Sequence, residues 1–480
     1  MQHEYWISFF VYFCLLFVIA ISFRKKDATS ADMLLGDRKL NFWVTALSAQ
    51  ASDMSSWLFM GFPMSIFIGG LPSIWIAVSL VTGMYCTWQF ISPKLRSLTE
   101  EYNSYTLSSY FAKRFGDPKG YIRIISALFL LFFMTYYLSS GLISIGFLFG
   151  SLYNIDYMLG ISIATIIMMV YTFVGGYLSV TWADLFQGIF LLFAIMIVPI
   201  LAFTQVGGWE GIFTAAHLKD ISMNVLPGDF SLSIQSILYP LFGWGLGYFG
   251  MPHILIKFMG IKNVADLKKS KYVGLSWQIL ALFSAALVGL IAIPYFKNGI
   301  VNPELVFVEM VKDLFHPVSA GLVLCGLLAA IISTMDSQIL VCASVLTEDI
   351  YKFFMGEKVT NKAEVLIFRL SVVIASLSAL WIASSQNKTI MDTVYFAWAG
   401  LGCTFGPLLL ASMYSKKPSY EGAIAGILVG GLSAAVWPQV NQYLTQCGLI
   451  HAVPSMIIGF PLSLIAIFFV SHLKPCKQEA

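Results

Sequence analysis

Residues 42–67 form an apolar stretch of membrane-spanning length, yet its centre reads Ala51-Ser52-Asp53-Met54-Ser55-Ser56. A helix crosses the hydrocarbon core in about 20 residues, so this run falls near the midplane. A carboxylate there costs roughly 2.5–3.5 kcal/mol even on the mildest insertion scale. Asp53 therefore has to face a polar cavity, an ion or a partner charge. Breaks in membrane helices are tolerated only where the freed backbone is buried in protein or lines such a cavity, and ion-coupled carriers use them to offer carbonyls to a cation. A kinked helix with a merely hydrogen-bonded Asp is the plainer alternative.

The rest of the chain agrees with a membrane setting. Of its 480 residues 58% are hydrophobic and only 11% charged, where a soluble domain carries about 25% charged residues. Hydropathy marks thirteen apolar segments, near 5–23, 42–67, 70–92, 124–153, 157–174, 185–204, 232–256, 272–296, 318–345, 366–386, 389–413, 421–437 and 453–472. No gap between them holds a soluble domain, so a single all-α integral membrane domain is expected over residues 1–480.

Charge sets an expected orientation. With the N-terminus outside and alternating spans, all of the 28 lysines and arginines except Lys219, Lys297, Lys312 and Lys388 fall on the cytoplasmic side. That is the positive-inside pattern, and it assigns the net charge of +3 to topology and not to nucleic-acid binding. The first segment lacks a basic region before it and is followed by Arg24-Lys25-Lys26, so it reads as a retained anchor. The seven cysteines show neither disulfide nor metal spacing. Two loops, Leu98–Pro118 and Lys257–Lys271, have the pattern of interfacial helices.

The segments parse as a leading helix with its loop (1–41), a five-span group (42–204), a second five-span group (232–413) and two trailing helices (421–472). An odd number of spans inverts the second group relative to the first. Each group opens on an interrupted segment, the second broken by Gly243, Gly245, Gly247, Gly250 and Pro252. Inverted repeats whose first helices are discontinuous at the binding site are a hallmark of secondary transporters.

Gly245-Leu-Gly247-Tyr-Phe-Gly250 matches a dinucleotide fingerprint, but no strand precedes it and it lies inside a membrane span. The glycines either pack closely against a neighbour or unwind the helix beside a substrate. Trp244, Tyr248 and Pro252 share one face there. A second polar constellation holds Ala330, Ser333, Thr334, Asp336 and Ser337. Ser333, Asp336 and Ser337 fall on one helical face, and hydroxyl and carbonyl oxygens suit a hard cation such as Na⁺. Asp184 is placed at the start of the sixth span, where it is either an N-cap or a partner of the Asp336 face. Arg38, just ahead of the broken span, is a candidate gate. Gly422, Gly426 and Gly430 read as packing glycines. No phosphate loop, nucleophile elbow or zinc helix occurs, so an enzyme has no support.

Several ordered motifs carry a resemblance. Leu35-Gly-Asp-Arg38, Thr45 to Ser55, Phe242 to Leu255, Ile332 to Thr334 with Gln338 to Cys342, Thr347 to Tyr351 and Tyr395 to Pro407 resemble the sodium:solute symporter family, closest to its sodium/proline symporters. The resemblance implies a leucine-transporter-type fold of about thirteen transmembrane helices in a 5+5 inverted repeat, with Na⁺ as coupling ion. It implies Na⁺ between carbonyls of Ala51, Met54 and Ala330 and hydroxyls of Ser333 and Thr334, with Asp53 and Ser55 supporting coupling. Tyr137, Trp244, Tyr248 and Pro252 would line a pocket for a small zwitterion, L-proline first, with Trp57 and Trp398 beside them. Ser56 stands where these carriers often have Gly, and Asp336 where some have a hydroxyl. Pantothenate, a sugar or sialic acid is the rival cargo; a membrane sensor or channel on this scaffold is the rival class.

Overall fold

The two breaks that the sequence marks are where the helices stop. In the computed structural model, which describes residues 2–23, 34–226, 234–356, 360–385, 389–448 and 452–475, the architecture is built from helices joined by short turns. Among the described residues the isolated bridge between Leu40 and Ile261 is the one extended pairing. Among the described residues nine helical segments are long and apolar enough to cross a membrane, and shorter apolar helices run at Tyr5–Ile19, Trp57–Gly69 and Tyr157–Val170.

Helix α1 covers Gln2–Ser22. Helix α2, Phe42–Asp53, starts where the Asn41 side chain accepts from Val44 N. It stops at Met54, whose φ of −86° and ψ of 79° leave the helical region. The chain resumes through a π turn, Trp57–Gly61, into α3, Phe62–Gly69. Helices α4 (Ile74–Cys86) and α5 (Ser92–Glu101) are joined by a second π turn. Short α6, Leu107–Arg114, begins with a capping box on Thr106 and Ser109. Then come α7 (Tyr121–Tyr153), α8 (Tyr157–Gly175), α9 (Tyr177–Gln205) and the loop helix α10 (Gly208–Leu218).

The second half repeats the interruption. Helix α11, Tyr239–Gly245, tightens into a 3₁₀ turn over Leu246–Gly250, Met251 is extended, and α12 starts at Pro252 and ends at Met259. Proline suits a first helical position because its missing N–H is unpaired there anyway. Helices α13 (Leu267–Tyr295), α14 (Val306–Leu314), α15 (Pro317–Ser344) and α16 (Lys352–Met355) follow. Helices α17 (Asn361–Ala383), α18 (Ile390–Tyr414), α19 (Tyr420–Gln446) and α20 (Ser455–Leu473) complete the chain.

Burial ranks these helices. In α15 and its continuation 78% of the most apolar window is buried, against 33% for α17. A helix apolar all round belongs at the centre of a bundle, and α15 contacts α1, α2, α7, α9 and α17. Its polar residues Ser333, Thr334, Asp336 and Ser337 are consequently all buried. Broken α2 packs on α9, α12, α13 and α15. The packing glycines behave as read: a Cβ on Gly422 or Gly426 would strike Ser471 or Ile467 of α20.

Two local readings change. Helix α9 begins at Tyr177 and not near 185, which draws Asp184 into the helix body. Its N-cap is Gly176, so the N-cap reading of Asp184 is wrong. No separate helix fills Lys257–Lys271: Lys257 belongs to α12 and is fully buried, and α13 starts at Leu267. The connection after α9 contains α10; residues 227–230 lie outside the described residues.

Candidate functional site

The end of α2 presents unpaired carbonyls because its helix stops inside the bundle. The Ala51 carbonyl accepts from Ser333 Oγ at 2.8 Å and from Thr334 Oγ1 at 3.2 Å, and Ser333 Oγ is 3.2 Å from the Ala330 carbonyl. Four of the five expected Na⁺ ligands, Ala51, Ala330, Ser333 and Thr334, thus meet in one buried cluster of oxygens. Met54, the fifth, is the C-cap residue directly after α2. The donor set is neutral, hard oxygen, which fits a monovalent hard cation and not a soft metal.

The second break reaches the first through one side chain. Tyr248 OH, in the 3₁₀ turn, donates to Asp53 Oδ2 at 2.6 Å. Gln278 Nε2 of α13 donates to the same phenol oxygen at 3.0 Å. The Trp57 indole N–H donates to the Asp53 carbonyl at 3.2 Å. Around this pair stand aromatic rings: Trp398 meets Tyr248 edge-on at 4.9 Å, and Trp244 lies 6.2 Å from Trp398 and 4.9 Å from Tyr395. Trp398 Nε1 donates to the Trp244 carbonyl at 2.8 Å. Tyr137 stands edge-on to His253 at 5.4 Å. Pro252 opens α12 and lines a small void with Thr106 and Val341, outside these ring contacts.

The fingerprint-like glycines pack closely against a neighbour, in a turn that leaves the α-helical path. A Cβ on Gly247 would sit 2.0 Å from Trp398 Nε1, and one on Gly250 would sit 2.5 Å from the Leu401 carbonyl. The unwound turn can therefore lie flat against α18 only because those side chains are missing.

The acids of the ninth-span region separate. Asp184 Oδ2 takes the Lys257 ammonium at 2.7 Å, both groups fully inside the protein. Ser52 and Ser337 hydroxyls, 2.9 Å apart, each lie 3.4 Å from the same oxygen. Asp336 turns elsewhere, accepting from Thr172 Oγ1 of α8 at 2.9 Å. Ser55 is buried beside the break. Arg38 has no carboxylate partner among the described residues: its guanidinium donates to Thr99 Oγ1 and to the carbonyls of Thr99, Ser104 and Met259. With the bonds from Leu40 N to Gly260 O and from Lys262 N to Leu40 O, it ties the segment before α2 to the ends of α5 and α12.

Sequence reading missed Gln278, Tyr395, Thr172 and Lys257. A lone amide inside an apolar segment was a signal for Gln278, because an unpaired amide in hydrocarbon is costly. Lys257 was legible only as a loop charge until α12 was placed.

The chain is similar to known proteins in sequence and in fold. A profile of the sodium:solute symporter family matches residues 33–430. The high-affinity proline transporter PutP of Bacillus subtilis is 39% identical over 463 residues, covering 95% of each chain. Sodium/proline symporter 2 of Staphylococcus saprophyticus is 40% identical over 480 residues, covering 98% of this chain and 93% of its own. Among solved structures, a Na⁺-coupled sialic acid symporter in its substrate-bound outward-open state superposes with a TM-score of 0.82 at 18% identity, over 99% of both chains. Mhp1, a nucleobase-cation-symport-1 transporter in a closed conformation, gives 0.55 at 16% identity over 92% of each. The fold is that of the leucine-transporter-type carriers, and the chain belongs to the sodium:solute symporter family.

Proposed function

We propose that this multi-pass membrane carrier, which is not an enzyme, couples inward movement of Na⁺ to uptake of L-proline by alternating access. The observation that carries the reading is the Tyr248–Asp53 hydrogen bond of 2.6 Å between the two broken segments, set against the Ala51, Ser333 and Thr334 oxygens. A cation among those oxygens holds α2 to α15. A zwitterion between the breaks spans the two repeats, so each solute favours the conformation the other needs. That is coupling in the thermodynamic sense.

Proline suits the enclosure. Its ring is apolar and fits the faces of Tyr137, Trp244, Tyr248 and Trp398, with Trp57 and Pro252 at the margins. Its carboxylate suits the N-terminal end of α12, where the helix dipole favours an anion. The relatives named for proline at 39% and 40% identity support this cargo over pantothenate, a sugar or sialic acid. One positive charge moved inward gains about 2.3 kcal/mol per 100 mV. Asp184, Asp336 and Ser337 surround that path as supports, and Arg38 closes its cytoplasmic end. The reading carries thirteen spans, the inverted repeats 42–204 and 232–413, and an outside N-terminus.

Radiolabelled proline uptake into proteoliposomes, with an inward Na⁺ gradient against equal K⁺, tests the proposal. Accumulation only with Na⁺, suppressed by excess proline and not by pantothenate, glucose or sialic acid, is expected. Uptake indifferent to the Na⁺ gradient overturns it.

A further inference from the structure

Gln278 is fully buried in the middle of α13. It lies one turn beyond Gly274, whose lack of a side chain makes room for the Gln50 amide. Its Nε2 donates to the Tyr248 phenol at 3.0 Å, and that phenol donates to Asp53 Oδ2 at 2.6 Å. The outer atoms of this chain, Gln278 Oε1 and Asp53 Oδ1, are buried without a partner.

A phenol has one proton to give, while an amide offers donors on one side and an acceptor on the other. With Nε2 against the phenol oxygen, that proton is free to point at Asp53. The opposite amide orientation would place Oε1 there as a competing acceptor and draw the proton off the carboxylate. The amide therefore sets the direction of the whole chain, from Gln278 through Tyr248 to Asp53. Oδ2 is then occupied and Oδ1 remains without a partner, next to Tyr248, whose ring meets Trp398 edge-on. Carboxylate oxygen plus ring faces is the chemistry that recognises an ammonium group. The Na⁺-type oxygens of Ala51, Ser333 and Thr334 form their own cluster, and Gln278 bonds to none of them.

We infer that Gln278 is a positioning residue for substrate: by holding the Tyr248 proton on Asp53 Oδ2, it reserves Asp53 Oδ1 for the ammonium of the zwitterion. This rests on the proline reading above. Gln278 touches no reacting group itself; it acts through Tyr248. It gives selectivity for solutes that carry an ammonium over rings of the same shape that lack one.

The test compares purified full-length wild type, Gln278→Met, Gln278→Glu, Tyr248→Phe and the double variant Gln278→Met/Tyr248→Phe. Gln278→Met is expected to raise the proline concentration for half-saturation about tenfold, the worth of one charge-assisted hydrogen bond, with the Na⁺ requirement nearly unchanged. In the Tyr248→Phe background the same substitution should add almost nothing, because no phenol proton is left to direct. Gln278→Glu keeps the size but puts an acceptor against the phenol, so it should bind proline as poorly as Gln278→Met. Cyclopentanecarboxylate, which lacks the ammonium, should compete as well in Gln278→Met as in wild type. Equal losses in both Tyr248 backgrounds, or a Gln278→Glu protein binding like wild type, overturn the inference. A substrate-free readout separates it from the choice of cargo. With 3-fluorotyrosine at position 248, the fluorine resonance should move on Gln278→Met in protein without Na⁺ or solute. An unmoved resonance overturns the relay; a moved one in a carrier that binds no proline supports the relay and sinks only the proline reading.

Discussion

The Lys257 ammonium lies 2.7 Å from Asp184 Oδ2, and both side chains are shut off from solvent, at 0% and 1% exposure. The pair joins the second half of the second broken segment, α12, to α9. Its Coulomb attraction is offset by the cost of removing two charges from water, so it adds little net stability. Its value is in fixing where α12 sits.

Breaking the pair should therefore be far worse than deleting it. Lys257→Met leaves a buried carboxylate without its cation, with an expected loss of about 3–5 kcal/mol. Lys257→Met with Asp184→Leu should recover most of that loss. Thermal unfolding of the detergent-solubilised protein measures both, and a double variant no more stable than the single one would count against the account.

Thr334→Ala tests the oxygen cluster. Removing a hydroxyl that lies 3.2 Å from the Ala51 carbonyl should raise the Na⁺ concentration for half-maximal uptake about tenfold, as expected for a lost ligand worth about 1.5 kcal/mol or more. Protein abundance in the membrane should stay close to wild type. Unchanged Na⁺ dependence in well-expressed protein would remove Thr334 from the site.

Much of this arrangement is legible in the amino-acid sequence. Asp53 announced a break because a midplane carboxylate has few solutions, and glycines at 243, 245, 247 and 250 with Pro252 marked the second. Hydropathy placed Ser333 and Thr334 in the ninth apolar segment, and the family resemblance singled them out as a pair. What sequence could not give was which buried groups choose each other. Asp336 and Ser337 are neighbours in the chain, yet one bonds Thr172 of α8 and the other approaches Asp184 of α9. Adjacent helical residues diverge by about a quarter turn, so the partner is set by which helix packs on each side. Lys257 illustrates the same limit: charge alone placed it in a loop, and only the end of α12 shows it inside.

Glu304 gives a pH prediction. In the turn before α14 it accepts from Ile390 N at 2.8 Å, covering the start of α18, and it is only 4% exposed. Burial pushes its carboxyl up to about 7, despite the pull of the Ile390 and Met391 amides in the other direction. An acid whose docked value is raised is held better when protonated. The contact should therefore be strongest below about 4.5, its ordinary value, and weaken as pH rises through about 7. Hydrogen exchange at the Ile390 amide should accelerate over that range beyond the intrinsic rise. Glu304→Gln, which is neutral throughout, should abolish the excess; an excess that persists in Glu304→Gln assigns it to another group.

Gly247→Ala separates steric from chemical roles at the second break. A methyl group there would sit 2.0 Å from Trp398 Nε1, far inside contact distance. The indole has to move, and with it the 2.8 Å bond to the Trp244 carbonyl and the edge contact with Tyr248. Overpacking of this kind costs about 1–3 kcal/mol, and here it falls on the rings assigned to the solute. Proline half-saturation should rise about tenfold or more while Na⁺ affinity changes much less, because the bonds that join Ala51, Ser333 and Thr334 do not involve that indole. Trp398→Phe in the same background should recover part of the proline binding by freeing space for the methyl. Failure of the smaller ring to restore any binding, in protein of normal abundance, would show that the unwound backbone and not the indole is what the alanine disturbs.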